Sequence, residues 1–514
     1  MSIKVVFKKN TYIDSVSLMT LSNRASEIEG VDQAMIAMGT DMNKEVLKNI
    51  GLSTPEIEGA NSSDLMIIVK AATEELCESA FIQVEELFIK KAKPKEAGDV
   101  KYSTIPSAAK NIPEANLAVI SVSGAYAARE ARKALENDLH VMLFSDNISL
   151  EDEIQLKKLA HEKGLLVMGP DCGTAIISNV ALCFANAVRK GNIGIVGASG
   201  TGSQEVTVLI HNLGGGITQL VGTGGRDLSE EVGGIMMLDG IRALEADPST
   251  EVIVLISKPP HPTVEKKVLA EIKNCTKPVV VCFMGGKEDA AVEAGGHFAK
   301  TTEEAAWKAV ELAGIKGNSL RSSELNQELI SEVRAKLSPE QKYIRGLFSG
   351  GTLCDEAMHA AMEKFDDVYS NIQRDPKFLL IDTNVSAGHT FIDFGDDQFT
   401  QGKPHPMIDP STRLARFAQE AKDSSVGVIV MDFVLGFGAH EDPAGAFLPA
   451  IIEAKQLAEE EGRHIEIVGY VLGTELDSQN IEEQKDKLVA AGVMLANSNT
   501  QAGLLASEFV VKGA

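Results

Sequence analysis

Two stretches of the chain put glycine, serine and threonine where a buried strand hands over to a helix. The first is Ser199, Gly200, Thr201 and Gly202, after the apolar run Ile193–Val196. The second is Ser349, Gly350, Gly351 and Thr352, after Ile344–Phe348. Such a turn leaves free backbone N–H groups at the helix start, where the positive end of the helix dipole favours a phosphate or another anion. A plain tight turn is the competing reading, since glycine is also what a strand-to-helix corner needs. Neither stretch continues into Gly-Lys-Ser/Thr, so neither is a Walker loop.

Other residues have chemistry of their own. Gly224, Gly225 and Arg226 follow a strand, the end at which α/β sheets present ligands. Arg226 either grips an anion bidentately or salt-bridges Asp227. His405 sits between Pro404 and Pro406, which stiffen its loop, and is followed by Asp409 and Arg413; a positioned side chain and a merely structural loop both remain open. Asp396-Asp397 is a solvated turn or a magnesium site, and His440 is a ligand contact or a cap. Cys172 and Cys354 read as buried thiols.

These residues depend on elements that hold them. The spacing predicts strands at Ile3–Lys8, Gln33–Met38 and Asp64–Val69, with helices from about Asp14 and over Glu74–Lys91. A polar linker is expected at Lys91–Lys95. From about residue 112 strands and helices alternate strictly, which argues parallel sheets. Expected strands include Asn116–Ser121, His140–Phe144, Leu165–Gly169, Ile217–Val221, Val252–Ile256, Val279–Phe283 and His297–Lys300. In the last third they are Ile344–Phe348, Phe378–Asp382, Val426–Met431 and Ile465–Val471. The resulting division is an N-terminal α/β region at 1–100 and a Rossmann-like domain at 101–190. Two doubly wound domains follow at 191–315 and 341–514, joined by a linker at 316–340. The last two share four phrases in one order, which points to an internal repeat: the two glycine turns, Gly222–Asp227 with Asp393–Asp397, Val252–Leu255 with Gly427–Val430, and Val280–Phe283 with Val468–Val471.

At 514 residues the chain exceeds one core. Its 44% hydrophobic content and single tryptophan, Trp307, suit a soluble α/β protein. A net charge of −24 disfavours nucleic acid, which requires clustered Lys and Arg. The six cysteines are scattered with no C-x-x-C pair, so no metal site is expected. No apolar run has the length of a membrane span, and the N-terminus lacks a signal peptide's apolar region; the expected location is the cytoplasm.

The order of motifs resembles succinyl-CoA synthetase and its relatives, the ADP-forming acyl-CoA synthetases. Ile193–Val196 followed by Ser199-Gly200-Thr201 and Glu205 is similar to the start of the family's α-subunit ligase domain. Gly169-Pro170-Asp171-Cys172-Gly173 is similar to its Gly-Pro-Asn-Cys-Pro turn. Met142–Asn147, Leu150–Lys157, Gly402–Pro410 and Gly436–Ala439 resemble the FdrA-type proteins of this superfamily. The resemblance implies a Rossmann-like CoA-binding-type domain and two flavodoxin-like ligase domains, whose helix starts face each other across a phosphoryl group. It makes Glu205 the carboxylate that steadies a phosphohistidine, and it adds Gly436 and Gly438 to the anion-binding candidates. His297 lies at a suitable distance from Val279–Phe283 for the phospho-acceptor, or is only a strand-start histidine.

Three departures bear on the implied activity. Residues 1–50 contain no glycine-rich CoA loop, the histidine loop after Phe283 is cut short, and no ATP-grasp domain is present. CoA or a nucleotide would then come by way of a partner subunit. The expected activity is a carbamoyltransferase subunit acting on carbamoyl phosphate and oxamate in allantoin breakdown, within an oligomer that includes other subunits encoded nearby. The alternatives are an ADP-forming acyl-CoA synthetase subunit, which also handles an acyl phosphate, and a non-catalytic scaffold.

Overall fold

The computed structural model describes residues 2–9, 11, 13, 15–26, 28, 30–49, 51–91, 101–316, 325–400 and 403–511. The helix start at Asp14, the linker beyond Lys91 and Gly402 of the 402–410 phrase lie outside the described residues. The chain divides into two units, residues 1–103 with 401–404, and residues 104–400 with 405–514.

In the first unit Ser2–Lys8 and Val31–Met38 flank Leu65–Ala71 in an antiparallel sheet. Side chains of the central strand alternate faces. Leu65, Ile67 and Val69 pack with the helices Ser15–Ser26 and Glu74–Lys91, while Met66 and Ile68 pack with Leu47, Leu52 and Ile57.

The second unit is mixed α/β and contains three sheets. Leu117–Ile120, His140–Leu143 and Val167–Met168 form a small parallel sheet. The middle sheet runs, in spatial order, His297–Phe298, Val279–Phe283, Val252–Ser257, Lys190–Gly197 and Ile217–Gly222. The third runs Val368–Ser370, His389–Asp393, Tyr343–Phe348, Val426–Val434, Glu466–Leu472 and Met494–Ala496. Leaving out Val368–Ser370, both reduce to the doubly wound order 2-1-3-4-5, with the switch point beside the first strand. Each sheet is buried on both faces, which is why its strands read as unbroken Val/Ile/Leu runs.

Two expectations are corrected. Phe378–Asp382 is not a strand: Leu379 makes only an isolated bridge to Ser370, and Ile381 is 96% exposed. Tyr343–Phe348 pairs instead with His389–Asp393 on one side and Val426–Val434 on the other. The alternation is also not wholly parallel. Thr174–Ile177 and Val180–Cys183 form an antiparallel hairpin that extends the middle sheet. Its two-residue turn, Ser178-Asn179, has φ of 50° and 65°, as a type I′ hairpin turn requires. Among the described residues no helix is long and apolar enough to cross a membrane.

Candidate active site at two facing helix starts

The helices Gly200–Asn212 and Gly351–Met362 each begin where the first strand of a doubly wound sheet ends. Their starts touch. The hydroxyls of Ser199 and Thr352 are hydrogen-bonded to each other. A Cβ placed on Gly202 would lie 2.7 Å from Thr352 Cγ2, and one on Gly350 would lie 2.7 Å from Thr201 Cγ2. Glycine at both positions is what lets the helices approach. Five of the sequence candidates, Ser199, Thr201, Gly202, Gly350 and Thr352, thus form one joint.

The two starts are satisfied differently. In the first, Ser199 is the N-cap, and its Oγ accepts from the Gly202 N–H at 3.1 Å. In the second the cap position is Gly350, which has no side chain to offer. Asp432, fully buried on Val426–Val434, instead holds the turn that leads into the helix. Its carboxylate accepts from the Ser349 N–H at 2.9 Å, the Gly350 N–H at 3.0 Å and Ser349 Oγ at 3.0 Å. Arg413 holds Asp432 in turn, at 2.8 Å, and donates to the Leu347 and Asp432 carbonyls. Ser349 and Gly350 therefore spend their donors on an internal carboxylate. Arg413 is buried behind it, so it acts as a positioning residue.

Behind the joint lies a reciprocal pair of carboxyls. Glu205 and Glu356 stand at the same helix position, five residues after Gly200 and Gly351. The Asn499 N–H, which opens the last helix of the second domain, donates to Glu205 at 3.2 Å. The Thr302 N–H and hydroxyl, which open the last helix of the first domain, donate to Glu356 at 3.0 and 2.9 Å. Each domain thus caps the other's glutamate in a two-fold-like exchange. Burial pushes Glu205 up to about 8, opposed by the Tyr470 hydroxyl and reinforced by Glu356. Burial also raises Glu356, against its bond from Asn499.

Asp393 and His405 adjoin the second start. The Asp393 carboxylate packs directly against Gly351 and accepts from the Gly395 N–H at 2.8 Å. Burial raises Asp393 to about 7, while Lys258 pulls it down. A Cβ on Gly395 would lie 2.8 Å from the Ser349 carbonyl, 2.9 Å from His405 Nε2 and 3.1 Å from Asp393 Oδ1, so these three groups converge. Burial, then Arg413, lowers His405 to about 4, which keeps it neutral at pH 7. Its Nδ1 accepts from the Met407 N–H at 3.3 Å, leaving the ring proton on Nε2. His405 is thus a hydrogen-bond donor at the second start, and in this tautomer Nε2 has no lone pair with which to take a phosphoryl group.

The remaining candidates lie elsewhere. His297 is corrected: it is exposed at the sheet edge, three strands from Lys190–Gly197, or about 14 Å at the usual strand spacing. Gly436 and Gly438 are also corrected. The Gly436 N–H donates to Gln479, the neighbouring Phe437 N–H donates to Ala185, and both glycines pack on the Cys183–Asn186 segment. Arg226 pairs with Glu153 at 2.8 Å, not with Asp227. Asp227 instead joins the fully buried Lys157 at 2.9 Å and caps the Ile235–Ala246 helix through the Met236 and Met237 N–H groups. Gly224 meets the Pro170 carbonyl, and Gly225 faces open space. Asp396 caps its own turn through the Gln398 N–H, and His440 accepts from the Asp442 N–H. Among the described residues no group of three or more His, Cys, Asp or Glu side chains could hold a metal. Cys172 and Cys354 are buried, and burial raises both thiols, Cys172 to about 12.

Asp432, Glu356, Asp393 and Lys258 were not singled out from sequence. Glu356 had a signal, its offset from Gly351 matching that of Glu205 from Gly200. Asp432 had none, because only strand pairing across more than eighty residues brings it to Ser349.

Two doubly wound domains joined through facing helix starts define a CoA-ligase architecture, and the chain belongs to the acyl-CoA synthetase superfamily. Residues 347–509 match a family model described as CoA-ligase, and residues 188–285 match one described as a CoA binding domain. Over its whole length the chain is similar to "Uncharacterized protein YahF" of Escherichia coli K12, 62% identical across 100% of this chain and 99% of that protein. It is 30% identical to the succinate–CoA ligase [ADP-forming] subunit alpha-2 of Trichomonas vaginalis, over 40% of this chain and 69% of that one. It is 26% identical to the corresponding alpha 1 subunit of Archaeoglobus fulgidus, over 46% and 80%. A solved structure of PH0766 from Pyrococcus horikoshii OT3 aligns at 15% identity and a TM-score of 0.36, over 81% of this chain and 88% of that one. Residues 1–104 match a model described as AllF, heavy metal-associated domain. That segment has no histidine, and its one cysteine, Cys77, is buried with its thiol turned to the Ser2 and Val69 carbonyls.

Proposed function

We propose that the chain is the acyl-transfer subunit of an acyl-CoA-synthetase-type enzyme, passing the acyl group of an acyl phosphate to the thiol of CoA at the joined helix starts. The observation that carries this reading is the Ser199–Thr352 contact, which brings two helix starts from two like-ordered domains to one point. A phosphoryl group seated on the rim of that joint would meet the Gly200 and Thr201 N–H groups and the positive ends of two dipoles. The His405 Nε2–H would offer a further donor beside it. Catalysis would consist of positioning and electrostatic stabilisation as the acyl–oxygen bond breaks and phosphate departs. The matches to CoA-ligase and CoA-binding models support the class. A partner subunit would supply any nucleotide step.

Carbamoyl transfer is the finer second reading, in which the acyl phosphate is carbamoyl phosphate and the acceptor is oxamate. It draws on the FdrA-type resemblance and on one observation: neither His297, at the far sheet edge, nor His405, in its tautomer, suits a phosphohistidine.

The test incubates the purified chain with acetyl, propionyl, succinyl or carbamoyl phosphate, against CoA or oxamate, and follows phosphate release and product. A thioester from CoA supports the first reading and carbamoyl-oxamate the second. Phosphate release no faster than the protein-free blank in every pairing overturns both.

A further inference from the structure

An anion at the joint faces an electrostatic difficulty. Asp393, Asp432 and Asp355 all lie at the start of the Gly351–Met362 helix, with Asp396 near enough to act on Asp393. Helix dipoles alone do not offset so many carboxylates, and Arg413 is committed to Asp432. Further positive charge is therefore required, and two exposed cations stand on the same rim.

Lys258 directly follows the Val252–Ser257 strand. Two residues before it, Ile256 lies 3.4 Å from a Cβ placed on Gly202, and the Ile256 carbonyl accepts from the Ala198 N–H. Lys258 thus leaves the sheet beside the first helix start. Its charge reaches across the domain boundary, lowering both Asp393 and Cys354. Arg374 comes from the second domain. Its Nη2 is 3.4 Å from Asp355 Oδ2, and its Nη1 is 3.9 Å from a Cβ placed on Gly285, a position that also contacts Pro259 at 3.8 Å. The loop after Lys258, the short turn after Val279–Phe283 and Arg374 therefore meet. The Arg374 side chain remains 49% exposed, so its guanidinium is not spent on Asp355.

We propose that Lys258 and Arg374, one from each domain, form the cationic side of the phosphoryl site and bind the phosphate end of the substrate at the rim of the joint. This rests on the acyl phosphate reading above and names the side chains that make an acid-rich rim accept an anion. Lysine supplies a point charge and arginine a planar fork, a pairing suited to a phosphoryl group.

Isothermal titration of inorganic phosphate into the full chain at low ionic strength tests it. Lys258→Gln and Arg374→Gln are each expected to weaken phosphate at least tenfold. Lys258→Arg should retain most of the affinity, and Lys287→Gln, exposed on the adjoining turn, should change it less than twofold. The thermal midpoint of Lys258→Gln should stay at the wild-type value, whereas Arg374→Gln removes a partner of the buried Asp355 and should melt somewhat lower. Both are titrated well below their midpoints, where a loss of affinity is not a loss of folding. Wild-type binding that both glutamine variants retain within twofold overturns the cation pair and leaves the function reading standing. No phosphate binding by the wild type removes both.

Discussion

The two doubly wound domains hold the turn from first strand to helix by different means. The residue on the third strand level with the end of the first is Ile256 in one domain and Asp432 in the other, as the pairings Leu255–Val196 and Met431–Leu347 fix. Where that residue is apolar, a serine side chain caps the helix at the Gly202 N–H. Where it is a carboxylate, the cap is glycine and the carboxylate holds the cap and the residue before it. The difference teaches that the joint is not a symmetric clamp. The first domain contributes a start capped by a serine side chain, and the second a glycine-capped start with Asp432 under its turn and Asp393 and His405 beside it.

The largest break in this comparison is Asp432→Ala. It strands the buried Arg413 charge and leaves Ser349 and Gly350 without an acceptor, so the expected cost is about 3–5 kcal/mol. The level substitution in the other domain, Ile256→Val, removes one methylene and should cost about 0.5–1.5 kcal/mol. Urea denaturation of the two variants measures the gap. Equal costs would mean that Asp432 does not hold the second turn.

Next in size is the close approach. Gly350→Ala sets a methyl 2.7–2.9 Å from Thr201, and Gly202→Ala sets one 2.7 Å from Thr352. Gly350 has φ of −114°, so its backbone tolerates alanine and the penalty is steric. Each variant is expected to lose about 1–3 kcal/mol. Adding Thr201→Ser to Gly350→Ala removes the nearest of three contacts, leaving the Cβ and hydroxyl at 2.9 Å, and should restore part of the loss. Failure of that rescue would place the strain somewhere other than the joint.

What could be read in the chain follows from how local each signal is. A glycine turn after a Val/Ile run is a local pattern, so Gly200 and Gly351 as helix starts were legible. Glu205 was legible only through resemblance, and its partner Glu356 through an offset that the repeat made visible. Asp432 was not, because a carboxylate inside an apolar strand looks the same whether it faces a helix start or another charge. Phe378–Asp382 misled because an apolar run carries no mark of exposure, while His389–Asp393, the actual strand, opens with a histidine and a threonine. The Ser178-Asn179 hairpin had a usable turn signal that the α/β rhythm around it obscured.

The reciprocal glutamates sharpen the comparison through pH. Glu205 has a folded value of about 8 against an ordinary 4.5, so the folded state holds this proton more tightly than the unfolded one. Its contribution is complete below about pH 4.5 and is lost as pH rises through about 8. Stability of the second unit should therefore fall between pH 5 and pH 8.5. Glu205→Gln, which keeps an acceptor for Asn499 without a charge, should flatten that fall and gain on the order of 1–3 kcal/mol at pH 8.5 relative to wild type. Glu356→Gln should act in the same direction, since both are buried carboxyls raised by burial. A pH profile unchanged by both substitutions would show that the joint takes up no proton.

The smallest expected effect is the most selective. Ser199→Ala removes the cap at the Gly202 N–H and the hydroxyl contact to Thr352, which should cost about 1 kcal/mol. Ser349→Ala removes only one of the bonds to Asp432, because the backbone N–H groups of Ser349 and Gly350 remain. It should cost less than Ser199→Ala in thermal melts. In the activity assay the two should separate further: Ser199→Ala removes a bond inside a helix start, whereas Ser349→Ala removes one bond from the turn before the other start. A larger loss of acyl transfer in Ser349→Ala than in Ser199→Ala would mean that the turn held by Asp432, not the Ser199 cap, sets the geometry of the joint.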